Sequence, residues 1–272
     1  MRRALIAVTM LSAMTALAQQ RRQAIVIGAN TGWAMDRPLR HAHDDAKRVA
    51  AVLLESGDFA APDVIVLEDP TTEQVLNVVA QSEAMHPEML VFFYSGHADA
   101  QHLHLQGAPL RLDALYARLK QHPSRVKIGV FDACQAGSLL AVKGARPTST
   151  FNVKLDDAVQ VEGTAILASS GADELSQEAR ALGGSVFTHH FVSGLRGAAD
   201  DDGNGRVTVD EAYSYAAART TLETAGSEAG AQRPVFRYEL KGRGEVVLTQ
   251  VRGPGSVVTF PRESTRCFVT DE

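Results

Sequence analysis

The sequence predicts an α/β fold, a mostly parallel central sheet with helices on both faces. Three observations carry this. Short apolar runs of strand type recur along the chain, each bounded by turn residues, as buried parallel strands do. Segments with helical spacing fall between them, so strands alternate with helices. The 272 residues, 45% hydrophobic and 22% charged, carry no internal repeat and have room for one large core.

The elements follow in order. Residues 23–28 (QAIVIG) form the first buried strand. From Asp44, Ala46, Val49, Ala50, Leu53 and Leu54 share one helical face, with Asp44 as the expected N-cap and Gly57 as the stop. Residues 64–67 (VIVL) are the second strand, and Pro70, Thr71 and Thr72 open a helix through Val75, Leu76, Val78 and Val79. A strand over 89–94 ends in Ser95, Gly96 and His97. A polar, hairpin-like passage over 101–110 and a helix over 112–119 lead to the strand at 127–131, which ends in Asp132, Ala133 and Cys134. Residues 164–168 (TAILA) are a fifth strand. Residues 187–195 read as helical, and 232–236 and 244–248 read as closing strands.

Chemistry concentrates where two of these strands stop. Open α/β sheets place their sites at the carboxyl edge of the strands. If the strands ending in His97 and Cys134 are neighbours, the two residues face each other as a Cys–His dyad. Such a pair can raise the thiolate population and then protonate a leaving amine. The competing reading of Cys134 is a small hydrophobe at the end of a buried strand.

The motifs YSGH (94–97) and DACQAG (132–137), in that order, resemble those of the caspase-like cysteine peptidases, especially the bacterial caspase homologues and metacaspases. The resemblance covers about residues 23 to 250 and implies the caspase-like fold and endopeptidase activity. It implies Cys134 as nucleophile and His97 as general base and acid, with the backbone N–H groups of Ala98 and Cys134 as oxyanion hole. Ala98 stands where many relatives carry glycine. Asp132, two residues before the cysteine, corresponds to an acid lining the pocket for the residue before the scissile bond. Its partner would be Asp45, in residues 39–45, where His41 and Asp44 depart from the family's usual glycine and asparagine. Two carboxylates with no arginine between them favour a guanidinium or ammonium, so cleavage after Arg or Lys is expected. Asp173 is a candidate third acid of the same cleft. Lys143 and Arg146, in a loop over 137–157, are candidate processing positions. The alternative is a non-catalytic caspase-like module that binds partner proteins.

A second motif lies near the end. Residues 200–211 (DDDGNGRVTVDE) match an EF-hand loop, with acids at positions one and three, Asn at five, Gly at six and Glu at twelve. The Ca2+ ligands would be Asp200, Asp202, Asn204, the Arg206 carbonyl and bidentate Glu211, with Thr208 acting through water. His189 and His190 are adjacent on a helix and point apart, which argues against zinc.

The termini and charge set the context. A basic start, an apolar stretch over 4–17 and the small-x-small pattern at 16–18 read as a signal peptide over 1–18, so the chain is expected to be secreted or periplasmic. The peptidase domain would span 19–250, with a strand-like tail over 251–272. Export into an oxidising compartment raises a Cys134–Cys267 bridge as a possibility, these being the only two cysteines. A net charge of −5 without a basic stripe gives no reason to expect nucleic acid as a partner. The expected partners are protein or peptide substrates, with no stable membrane insertion once the signal is removed and no organic cofactor.

Overall fold

A computed structural model of the chain describes residues 21–140, 161–172, 174, 176–179 and 182–251. Its elements are β1 (Arg22–Ala29), α1 (Ala42–Ser56), β2 (Val64–Glu68), α2 (Thr72–Met85), β3 (Met89–Gly96), β4 (His102–Leu103), β5 (Leu110–Arg111) and α3 (Leu112–Gln121). There follow β6 (Val126–Asp132), β7 (Glu162–Ala168), β8 (Glu178–Ala179), β9 (Gly184–Ser185), α4 (Val186–Ser193), β10 (Arg206–Thr208), α5 (Val209–Thr224), β11 (Val235–Lys241) and β12 (Val247–Gln250).

The central sheet has six strands in the order β11-β7-β6-β3-β1-β2, parallel except at the β11 edge, where β11 runs antiparallel to β7. The inner strands β1 and β3 are buried almost throughout, which is why they are apolar without alternation. Successive side chains still part to opposite faces. Ala24 and Val26 pack with α1, α4 and α5, whereas Ile25 and Ile27 pack with α2 and α3. Tyr94, Phe92, Phe93 and Phe131 are fully buried in these two layers. Each such side chain is worth about 1.5–3 kcal/mol of burial.

Three sequence expectations change. Helix α1 begins at Ala42, because Asp45 N–H donates to the His41 carbonyl at 2.9 Å and closes a turn earlier than Asp44 would allow. Asp44 is therefore not the N-cap; it lies in the first turn, where its charge suits the helix dipole. The run at 244–248 does not close the main sheet, since β12 pairs antiparallel with β10 instead. The stretch after Cys134 begins with a short helical turn (Ala136–Leu140) rather than loop. By contrast, α2 starts as its sequence suggests, with a reciprocal capping box between Thr71 and Gln74. The signal peptide, Lys143, Arg146, Asp173, Cys267 and the tail beyond residue 251 lie outside the described residues. Among the described residues, no helix is long and apolar enough to cross a membrane.

Strand order reverses between β1 and β3: the chain goes from β1 outward to β2, then returns to the other side of β1. At such a switch point the loops beyond the strand ends diverge and leave a crevice. Here the loop after β1 meets the end of β3.

Candidate active site

Strands β3 and β6 are hydrogen-bonded neighbours, and Ser95 pairs with Asp132 across them. His97 and Cys134 each lie two residues beyond that pair, so they leave the sheet side by side. Both line one cleft, together with Leu39, Asp45, Asp132, Ser176 and Glu178.

The His97 ring is held from behind. Its Nε2 lies 2.7 Å from the Arg37 carbonyl, which can only accept, so Nε2 carries an N–H and, in the neutral ring, Nδ1 keeps the lone pair. The His97 carbonyl in turn accepts from the Tyr94 hydroxyl at 2.7 Å and from His104 N–H at 3.0 Å. Ala98 bridges to Leu103, flanked by the bonds Asp99 N–H to His102 and His104 N–H to His97. Those bonds make Ala98 a non-hydrogen-bonded position, so its own N–H is not used by the ladder. Its φ is not among the positive values, so the Cβ that replaces the relatives' glycine is tolerated.

Cys134 is half-buried and is followed by Gln135 in the left-handed region (φ 56°), a sharp turn that ends the strand. Gly137 is required by packing, because a Cβ there would stand 2.7 Å from the Ser170 carbonyl. Burial pushes the Cys134 thiol up, and the nearby charge of Asp132 adds to this; backbone N–H groups, first that of Ser176, pull the other way. The thiol is thus favoured over the thiolate.

Beside the thiol lie two buried carboxylates. Asp132 accepts from the hydroxyls of Ser176 and Thr188, at 2.6 Å each. Asp45, 1% exposed, accepts from Ser185 N–H at 3.2 Å and from the Ser95 hydroxyl at 3.3 Å. Burial pushes the Asp45 carboxyl up to about 8, with the Asp132 charge reinforcing it. One arginine stands near Asp45. Arg48, one turn along α1, has Nη1 3.9 Å from Asp45 Oδ1 and also donates to the Leu182 carbonyl. Arg48 does not line the cleft, so the face offered to a ligand remains acidic. Glu178 is a third acid in the cleft that the sequence reading missed. Its Oε1 accepts from the backbone N–H groups of Arg40 and His41, at 3.3 and 3.2 Å.

A strand-end histidine and a strand-end cysteine in register, on this sheet order, agree with the wider comparison: the family model for the caspase domain matches residues 21–242. The chain belongs to the caspase-domain family. The fold agrees as well. Caspase-1 from Spodoptera frugiperda superposes with a TM-score of 0.62 at 17% identity, over 86% of this chain and 92% of that one. No curated protein sequence matches the chain. Family membership makes this a caspase-like cysteine peptidase domain, a class whose substrates are proteins.

In this caspase-domain chain the acidic stretch at 200–211 follows α4, includes β10 and runs into the first turn of α5, away from the cleft residues in sequence. Carboxylate oxygens of Asp200, Asp202 and Glu211 lie within 4.8 Å of one another. The loop bends around them: Asn204 and Gly205 N–H groups donate to Asp200 at 3.0 Å each, and Gly203 and Gly205 adopt left-handed φ values of 69° and 75°. Glu211 also accepts from the N–H and hydroxyl of Thr208, at 2.9 and 2.8 Å, in the capping box of α5. Val207 is buried and pairs with Thr249 of β12. His190 Nε2 lies 2.7 Å from Glu223 Oε2.

Proposed function

We propose that the chain is an exported cysteine endopeptidase that cleaves after Arg or Lys. The observation that carries this is a single cleft lined by His97, Cys134, Asp45 and Asp132. His97, presenting its Nδ1 lone pair, takes the thiol proton as Cys134 Sγ attacks the scissile carbonyl carbon. The raised thiol resists early ionisation, so proton transfer accompanies attack rather than preceding it. The oxyanion is received by the N–H groups of Cys134 and Ala98. His97 then gives the proton to the leaving amine, a thioester forms, and water activated by the same Nδ1 releases the acid. A guanidinium or ammonium enters between Asp45 and Asp132 and replaces the proton that Asp45 holds. Glu178 offers a further negative group at the cleft mouth.

Calcium belongs to the same proposal. Asp200, Asp202, Asn204, the Arg206 carbonyl and Glu211 would hold it, with Thr208 through water, and their all-oxygen donor set suits a hard cation. Bound there, it would neutralise the acidic loop and tie the turn after α4 to the start of α5. Export rests on the signal-peptide pattern at residues 1–18. The second reading, a protein-binding module without turnover, draws on the upward shift of the Cys134 thiol.

A peptidyl-arginine acyloxymethyl ketone separates the two readings. The enzyme reading expects covalent labelling of Cys134 in the wild type and none in Cys134→Ala or His97→Ala. An unlabelled wild-type chain, folded by circular dichroism, favours the module.

A further inference from the structure

Behind His97 lies a polar cluster that the mechanism does not use. His104 is 8% exposed, yet each of its ring nitrogens faces a carboxylate. Nδ1 is 2.7 Å from Asp36 Oδ2, and Nε2 is 3.3 Å from Asp99 Oδ2. The Trp33 indole stacks on the same ring, with centroids 3.8 Å apart and planes 12° from parallel. Ionised carboxylates only accept, so the two contacts together need an N–H on each ring nitrogen. Burial acts to raise Asp36 and Asp99, but bonds from His104 and from backbone N–H groups outweigh it and hold both below the usual range.

The cluster grips both sides of the His97–Arg37 contact. On one side, His104 N–H donates to the His97 carbonyl at 3.0 Å. On the other, the His104 ring holds Asp36, the residue before Arg37. The Asp36 carboxylate also accepts from Trp33 N–H at 2.7 Å, while Asp36 N–H closes a turn onto the Trp33 carbonyl at 2.9 Å. That turn is tight, since a Cβ on Gly32 would stand 2.2 Å from Asp36 Oδ2. Leu39 N–H, bonded to the Asn30 carbonyl at 2.8 Å, pins the segment beyond Arg37. The Arg37 carbonyl is therefore suspended between two anchors, and the nearer one is His104.

We propose that His104, clamped between Asp36 and Asp99, is a positioning residue that fixes the Arg37 carbonyl and through it the tautomer of His97. The inference rests on His97 acting as the base. With the carbonyl in place, the ring proton stays on Nε2 and Nδ1 is free to receive the thiol proton. With the clamp released, the carbonyl withdraws, the proton distributes over both nitrogens, and part of the enzyme presents an N–H where it needs a lone pair.

The test uses the full chain. His104→Phe keeps the ring stacked on Trp33 and removes both N–H groups; Asp36→Asn keeps the acceptor for Trp33 N–H and weakens the clamp without emptying the site. Steady-state kinetics on an arginyl peptide are read beside nitrogen NMR of 15N-histidine-labelled protein, with the His97 signals assigned through His97→Gln. The expected result in both variants is kcat lower by about 10- to 100-fold, a part of the ~10⁴ that a wrong histidine tautomer removes in the Ser–His–Asp triad. KM is expected to stay within about twofold, and His97 to change from one tautomer to a mixture. A folded variant with His97 still wholly Nε2-protonated, or with kcat unchanged, overturns the proposal. If the wild type turns over no peptide, the peptidase reading fails separately, and the tautomer comparison alone decides the role of His104. Should His104→Phe not fold, Asp36→Asn decides it.

Discussion

Replacing Asp45 by Asn separates what this buried carboxyl does for binding from what it does to stability. The side chain is 1% exposed and its carboxyl is pushed up to about 8, by burial first and then by the Asp132 charge. An unfolded Asp ionises near 3.9. Between those values the folded chain holds a proton that the unfolded chain has lost, so wild-type stability falls as pH rises and levels off above about 8. The slope is about 1.4 kcal/mol per pH unit, or roughly 2.7 kcal/mol between pH 5 and 7. Asn keeps an acceptor for Ser95 and Ser185 and has no such slope. Denaturant melts should therefore show Asp45→Asn gaining on the wild type by about that amount across those two units. Binding runs the other way. A guanidinium about 4 Å from a carboxylate at an effective dielectric near 20 gains about 4 kcal/mol. Desolvation of the guanidinium takes part of this, leaving about 2–3 kcal/mol, or a ~30- to 150-fold fall in kcat/KM for arginyl peptides. Seating the arginine also expels the Asp45 proton, so calorimetry on the Cys134→Ala chain in buffers of different ionisation enthalpy should register close to one proton released at pH 7. Unchanged arginyl kcat/KM in Asp45→Asn, together with no proton release, refutes the acidic-pocket reasoning.

Two further outcomes concern Thr188 and the acidic loop. Thr188→Val keeps the shape but removes the hydroxyl 2.6 Å from Asp132 Oδ2; leaving that carboxylate short of a donor should cost about 1.5–3 kcal/mol in a denaturant melt and raise KM for arginyl peptides. Calcium at about 100 times its Kd should stabilise the chain by about 2.7 kcal/mol, several degrees in Tm, and chelation should reverse it. Glu211→Gln preserves the capping bond yet should abolish the shift; a calcium effect that survives it places the ion elsewhere.

The parts of the site legible in the sequence are those that end apolar runs. His97 and Cys134 are visible because each interrupts a strand buried on both faces, and the Ser95–Asp132 register makes those interruptions coincide in space. The clustering of the acids at 200, 202 and 211 is legible because the EF-hand-like spacing sets them around one turn, and their oxygens lie within 4.8 Å of one another. Contacts made by the main chain leave no such trace. Any residue at 37 supplies a carbonyl, so Arg37 carries no signal. Glu178 and Ser176 belong to the passage after β7, where no period marks which side chains turn inward. The run at 244–248 reads alike whether it closes the main sheet or pairs with β10, because three apolar residues do not encode a partner. The start of α1 differs for a related reason: the His41–Asp45 bond is a main-chain contact, and Asp44 is acceptable in the first turn.

The most direct test of the central claim is turnover by the mature, reduced chain with calcium present. Matched fluorogenic peptides ending in Arg, Lys or Asp would be compared beside Cys134→Ala. The account predicts cleavage after Arg and Lys, little after Asp, and none in the variant. Cleavage after Asp would contradict the acidic pocket while keeping the nucleophile, and a folded chain that cleaves none of the three would contradict the peptidase itself.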